Sequence, residues 1–229
     1  MEETNINDLK VEFLPEEPKE PDLKFKVIII GDYAVGKTCL SKNAIKNTFD
    51  EVYNATVAFE YFNFDIKIED KNVKLQIWDT CGQEIYRSLI TSYFREAALA
   101  IIVYSIDRRE SFINLNTWLK EVHLLGNPDI KLFLIGNKVD LEDNREVQFE
   151  EAKKYAKENG FVYVNETSAK KGLNTKLVFI QASKILYLEY LKYKNKGNFD
   201  ENENIKNKKD KKVKINKEKE IKRDKGGCC

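Results

Sequence analysis

Short continuous apolar runs alternate with amphipathic stretches through the middle of the chain. "FKVIII" (25–30), "ALAIIVYS" (98–105), "KLFLIGNK" (131–138) and "FVYVNE" (161–166) are β-branched or apolar runs of strand length. Such runs suit strands covered on both faces, as in a parallel sheet. "TVAFEYFNFDIKI" (56–68) and "VKLQIW" (73–78) instead alternate apolar with polar residues across "EDKN", which predicts a hairpin. Between the strands, "KTCLSKNAI" (37–45), "RESFINLNTWLKEVHLL" (109–125) and "EEAKKYAKEN" (150–159) read as helices. A last helix is expected from about Leu173 to Tyr193, with Val178, Ala182, Ile185 and Leu186 on one face. Strands alternating with helices predict a three-layer α/β sandwich. Its sheet would have six mostly parallel strands, one antiparallel edge strand, and helices on both faces.

The flanks differ from this body. Residues 1–23 carry eight acids against Lys10 and Lys19, a net of −6, with Pro15, Pro18 and Pro21 among them. They predict an acidic disordered arm. Residues 192–229 carry thirteen lysines and Arg223 against seven acids, a net of +7. With a total of +1, the segment between balances to zero. The expected organisation is an arm (1–23), one folded domain (24–193) and a Lys/Asn-rich flexible tail (194–229). A neutral body argues against a nucleic-acid-binding domain. No run approaches the 18 apolar residues of a membrane span, and no signal peptide is read before the first lysines. Cys39, Cys81, Cys228 and Cys229 lack metal-ligand or disulfide-framework spacing, which predicts a reducing compartment. His123, the single histidine, is expected on a helix surface.

Gly31, Gly36, Lys37 and Thr38 match G-x4-G-K-[ST], after a strand and before a helix as phosphate binding requires. In the loop Gly31-Asp32-Tyr33-Ala34-Val35-Gly36-Lys37-Thr38-Cys39 the backbone N–H groups would form an anion nest, aided by the helix N-terminus. Lys37 would reach the β- and γ-phosphates, and the Thr38 hydroxyl would ligate Mg²⁺. This phosphate loop leaves ATPases, nucleotide kinases and GTPases open. In "WDTCGQE" Asp79 ends a strand, placed to hold Mg²⁺ through water, and Gly82 can offer its N–H to the γ-phosphate. "GNKVD" puts Asn137, Lys138 and Asp140 at a strand end, where ligands of α/β sheets bind. Asp140 can accept from guanine N1–H and the 2-amino group, a pair adenine lacks. "TSAKKG" supplies Ser168, Ala169 and Lys170, with the Ala169 N–H available to guanine O6. Together the four boxes favour GTP and disfavour an ATPase or nucleotide kinase.

With these boxes, the stretch 25–193 resembles the Ras superfamily of small GTPases, most closely its Rab branch. "KLQIWDT…GQE", "SY…R…A", "SF…WL" and "ETSAK" carry the resemblance. It implies the P-loop NTPase fold, slow GTP hydrolysis to GDP and phosphate, and Mg²⁺ as metal. It further implies that Thr56 senses Mg²⁺ and the γ-phosphate in switch I, that Phe49 stacks on the base, and that Gln83 orients the attacking water beside Lys37. GTP would order both switch loops and hydrolysis would release them. An effector surface is expected near Val57–Tyr61 and Ile85–Tyr93. The implied partners are exchange factors, GTPase-activating proteins, effectors, and prenyl-delivery and GDP-dissociation-inhibitor proteins, acting on a monomer.

Five positions depart from the family pattern. Tyr33 replaces a glycine or small residue beside the γ-phosphate, which predicts slowed hydrolysis or an obstructed activating protein. A silenced, permanently GTP-bound binding module is the alternative reading. Ala34 replaces another glycine with little added bulk and is expected to be neutral. Ala58 in "VAFEY" and Cys81 in "DTCG" replace small residues, and Glu96 replaces the glycine of "YRG". The chain ends in "KGGCC", and Cys228 and Cys229 resemble a double geranylgeranylation site. The resemblance therefore implies a lipid-anchored protein on the cytosolic face of an intracellular membrane, cycling with the cytosol and regulating vesicle traffic.

Overall fold

The computed structural model describes residues 5–14, 20–49, 59–80 and 93–195. Two compact units, Met1–Tyr187 and Leu188–Cys229, divide the chain. Seven strands form one sheet: β1 (Val11–Phe13), β2 (Leu23–Ile30), β3 (Phe59–Ile68), β4 (Lys71–Thr80), β5 (Leu99–Ser105), β6 (Lys131–Asn137) and β7 (Tyr163–Thr167). The helices are α1 (Lys37–Lys46), α2 (Arg109–Ile113), α3 (Leu115–Leu125), α4 (Phe149–Glu158) and α5 (Thr175–Asn195), with 3-10 turns at Ile6–Asp8 and Val139–Asn144.

Strand order is β1-β3-β4-β2-β5-β6-β7. The five strands from β4 to β7 run parallel, and β3 pairs antiparallel with β4 through the predicted hairpin. Every side chain of β5 is buried, as a central strand covered on both faces requires. Ile28, Ile30, Ala100, Ile102, Leu132 and Leu134 share a core with Trp118 and Val122 of α3 and Ala152 and Ala156 of α4. On the other face Phe64 of β3 meets Phe179 of α5 at 5.6 Å between ring centroids. Thr175 of α5 donates to Asn43 of α1 at 2.7 Å. This is the expected α/β sandwich, with α1 and α5 on one face and α2 to α4 on the other.

Two expectations change. The sheet has seven strands rather than six, because part of the segment read as a disordered arm is a strand. Val11, Glu12 and Phe13 pair antiparallel with Ile68, Lys67 and Ile66. Leu9 beside it is 5% exposed, and Lys184 of α5 donates to the Ile6 carbonyl at 3.1 Å. Acidic composition hid a short apolar stretch, "LKVEF", that one edge of the sheet can use. Pro15 and Pro18 lie outside the described residues. The second change is that "RESFINLNTWLKEVHLL" forms two helices, α2 and α3, which break at Asn114. The side chain of Asn114 is bonded to the loop after β2.

Candidate functional site

The loop between β2 and α1 carries the phosphate motif at the C-terminal edge of the parallel strands. Gly31 has φ 138°, and a Cβ there would stand 2.2 Å from the Val103 carbonyl oxygen of β5. Gly36 has φ 94°, and a Cβ there would stand 2.3 Å from Nδ2 of Asn137. Only glycine fits either place, so both motif glycines have a steric cause. Lys37, 6% exposed, donates from Nζ to the carbonyls of Gly31 and Asp32, each at 2.8 Å. Its ammonium thus stands within the turn of the loop, where an anion cradled by the loop would meet it.

Ala34 has φ 58°, a left-handed conformation that strains any residue with a Cβ. The expectation that it is neutral is corrected here: its cost comes from backbone geometry, independent of side-chain bulk. Glu96 has φ 63°, so the glycine expected at that position also has a conformational reason.

At the end of β4, Asp79 is wholly buried and accepts a hydrogen bond from the Thr38 hydroxyl. Burial pushes its carboxyl up to about 7, although the Thr38 bond and Lys37 pull it down. Its Oδ1 has no hydrogen-bond partner among the described residues. An orphaned buried carboxylate oxygen beside a hydroxyl fits a hydrated divalent cation, the arrangement expected for Mg²⁺.

The segments read as base-recognition boxes converge on Asn137. Its Nδ2 donates to the Val35 carbonyl at 2.9 Å, and its Oδ1 accepts from Thr167 Oγ1 at 3.1 Å and from Ala169 N–H at 3.3 Å. One buried amide therefore ties the phosphate loop to the loop after β7. Ser168 donates to Asp140 Oδ1 at 2.5 Å, and a Ser168–Leu173 bridge closes that loop. Lys138 has φ 70° and its ammonium lies 4.0 Å from Asp107. Behind the loop Arg145 forks onto Glu166 at 2.6 and 2.9 Å, and those bonds raise its pKa further above the usual range. Phe49 and Lys170 line a cavity of about 570 Å³ shared with Asn47 and Thr175.

Gly31 to Cys39, Phe49, Asp79, Asn137, Lys138, Asp140, Ser168, Ala169 and Lys170 thus gather at one edge of the sheet. Cys39 is half-buried on α1. Thr56, Ala58, Cys81, Gly82, Gln83, Cys228 and Cys229 lie outside the described residues.

A family model for the Ras family matches residues 26–187. The chain belongs to the Ras family. It is accordingly a small GTPase, a class of switch that binds GTP and GDP with Mg²⁺ and answers to exchange factors, activating proteins and effectors. In this Ras-family domain the sequence reading missed the partners of the phosphate loop. Asp32, expected at the ligand, turns its carboxylate inward to Asn114 Nδ2 and Trp118 Nε1, both at 2.8 Å. Arg108 donates to the Tyr33 carbonyl at 2.6 Å. The available signal was Trp118, since a buried indole N–H needs an acceptor. Its position 86 residues from Asp32 concealed which one.

Proposed function

We propose that this Ras-family protein is a Rab-like switch that recruits effectors when GTP-bound and anchors to an intracellular membrane. The observation that carries the reading is an aromatic cluster beside the predicted switch segments. Phe59 stacks on Trp78 at 5.2 Å, Tyr93 meets both at 5.0 and 5.4 Å, and Tyr61 packs edge-on to Trp78. Phe59 and Tyr61 are 38% and 42% exposed. Rigid aromatic rings at the surface are what a protein partner uses as an anchor. Both ends of the cluster adjoin segments that a γ-phosphate would order, which makes the surface dependent on nucleotide. The tail after α5 would carry two geranylgeranyl groups, on Cys228 and Cys229, and hold the domain at the cytosolic face of a vesicle or organelle.

In this reading the loop amides and Lys37 hold the phosphates, and Thr38 with Asp79 would hold Mg²⁺, which would supply charge neutralisation to the bound phosphates. Asp140 and the Ala169 N–H select guanine. Gln83 orients the water, and Thr56 and Gly82 tie the switch segments to the γ-phosphate. Tyr33, 43% exposed on the loop, brakes hydrolysis by its bulk at a position where the family pattern has a small residue. Two measurements test the proposal. Full-length protein should occupy an endomembrane in its own cell, and Cys228→Ser with Cys229→Ser should release it. Tyr33→Gly should raise single-turnover GTP hydrolysis. A double mutant that stays on the membrane refutes the anchor, and an unchanged rate refutes the brake.

A further inference from the structure

The segment that follows β5 brings a positive charge to the phosphate loop and leaves it uncompensated. Among the described arginines, Arg109 forks onto Glu151 with both bonds at 2.5 Å. Arg145 is held by Glu142 and Glu166, and Arg95 lies 3.9 Å from Glu96. Arg108 has no carboxylate partner among the described residues; its guanidinium donates to the carbonyl of Tyr33 at 2.6 Å. The carboxylates next in sequence to Arg108 and to Tyr33 are engaged elsewhere. Asp107 accepts from Ser105 Oγ and faces Lys138, while Asp32 accepts from Asn114 and Trp118. A guanidinium anchored by a neutral main-chain oxygen keeps its full charge for another partner. It carries five N–H donors, so one bond to Tyr33 leaves others to give.

We propose that Arg108 is a further catalytic residue, a guanidinium supplied in cis that donates hydrogen bonds to the outermost phosphate of bound GTP. The proposal rests on the GTPase reading of the site. During hydrolysis the water oxygen bonds to the γ-phosphorus as the bond to the β-phosphate oxygen breaks. The water proton ends on the released phosphate, and the bond electrons stay with GDP. Negative charge spreads over the γ- and bridging oxygens, and a fixed cation there lowers the barrier. Arg108 gives up no proton in this step. Its backbone carbonyl accepts from Ser111 N–H at 3.1 Å and from Ser111 Oγ at 2.7 Å, so its main chain is also held. Much of the ordering cost of a long side chain is thereby met before nucleotide arrives. An arginine arriving from another protein would find the Tyr33 carbonyl already bonded.

The test uses the full chain alone, with Mg²⁺, fluorescently labelled GDP and aluminium fluoride, which mimics the transferring phosphoryl group. The wild-type protein is expected to form the GDP–aluminium fluoride complex without any activating protein. Arg108→Ala and Arg108→Gln should lose that complex while binding GDP within about twofold of wild type. Both should hydrolyse GTP in a single turnover at least about tenfold more slowly, well under the roughly thousandfold that a fully positioned arginine contributes. Arg108→Gln keeps a donor for the Tyr33 carbonyl, so its loss of the complex reports charge rather than folding. A complex that survives in both variants, or hydrolysis that is equal or faster, overturns the proposal. Failure of wild-type protein to bind GDP would overturn the GTPase reading itself and this inference with it.

Discussion

The indole Nε1 of Trp118 donates to the Asp32 carboxylate at 2.8 Å, joining α3 to the phosphate loop. Trp118 is 2% exposed, so its N–H has no water to fall back on, and the carboxylate satisfies it. Trp118→Phe keeps the ring and removes the donor. The variant is expected to lose about 1–3 kcal/mol of stability, the usual worth of a bond to a charged group. GDP should also dissociate faster, because the loop at Asp32 loses an anchor. Denaturant titration and release of labelled GDP check the two effects separately.

Asn137→Ala should damage the site more than the fold. Its amide serves the Val35 carbonyl, Thr167 and Ala169 at once. Truncation leaves those groups short of a partner, at a total cost of about 1–3 kcal/mol of stability. It also parts the phosphate loop from the base loop. GDP affinity is expected to fall at least about tenfold, equivalent to about 1.4 kcal/mol. Equilibrium titration measures it, and circular dichroism should show the fold retained.

Ala34→Gly and Glu96→Gly should each stabilise the protein. Both residues have positive φ, 58° and 63°, where a Cβ costs about 1–2 kcal/mol. Glycine loses part of that gain to unfolded-chain entropy, leaving a net gain near 0.5–1 kcal/mol. Thermal denaturation of nucleotide-free protein is the measurement. Lower melting temperatures would show that the strain is relieved elsewhere.

The Asp79 carboxyl makes the metal-free protein sensitive to pH. Its pKa is raised from 3.8 to about 7 in the folded state by burial. Between those values the native chain holds a proton that the unfolded chain has lost. Stability of metal-free protein should therefore fall as pH rises from about 4 through about 7, and then level off. Asp79→Asn should abolish this slope. Mg²⁺ with nucleotide should also flatten it, since a cation beside the carboxylate favours the ionised form. Denaturation midpoints at pH 5 and pH 8 decide the matter.

Deleting residues 1–14 should weaken the fold without touching the site. The strand β1 pairs three residues with β3, and Leu9 is buried. Exposing one leucine alone costs about 1.5–3 kcal/mol. The truncated protein is expected to melt earlier and to bind GDP as tightly as the full chain.

The central strands, the hairpin and the phosphate motif were legible because each is local. A run such as "FKVIII" has one stable use in a layered fold, and G-x4-G-K-T marks a turn whose two glycine positions leave no room for a Cβ. The break at Asn114 was not legible. "SFINLNTW" carries a helical pattern, and the residue at the interruption bonds to an acceptor on Asp32, far away in the chain. The strand β1 was concealed for a related reason. Three residues do not announce a strand until an edge with matching hydrogen-bond groups is present.

What the sequence determined by itself is the alternation of strands and helices and the places of the G-x4-G-K-T loop, the "GNKVD" strand end and the "TSAKKG" loop, all set by periodicity and short spacing. What only the tertiary structure decided is which distant groups share charge: Asp32 with Trp118, Asp79 with Thr38, and Arg108 with no carboxylate among the described residues. Side-chain period depends on neighbours along the chain. Electrostatic pairing depends on distance through space, which the fold alone sets.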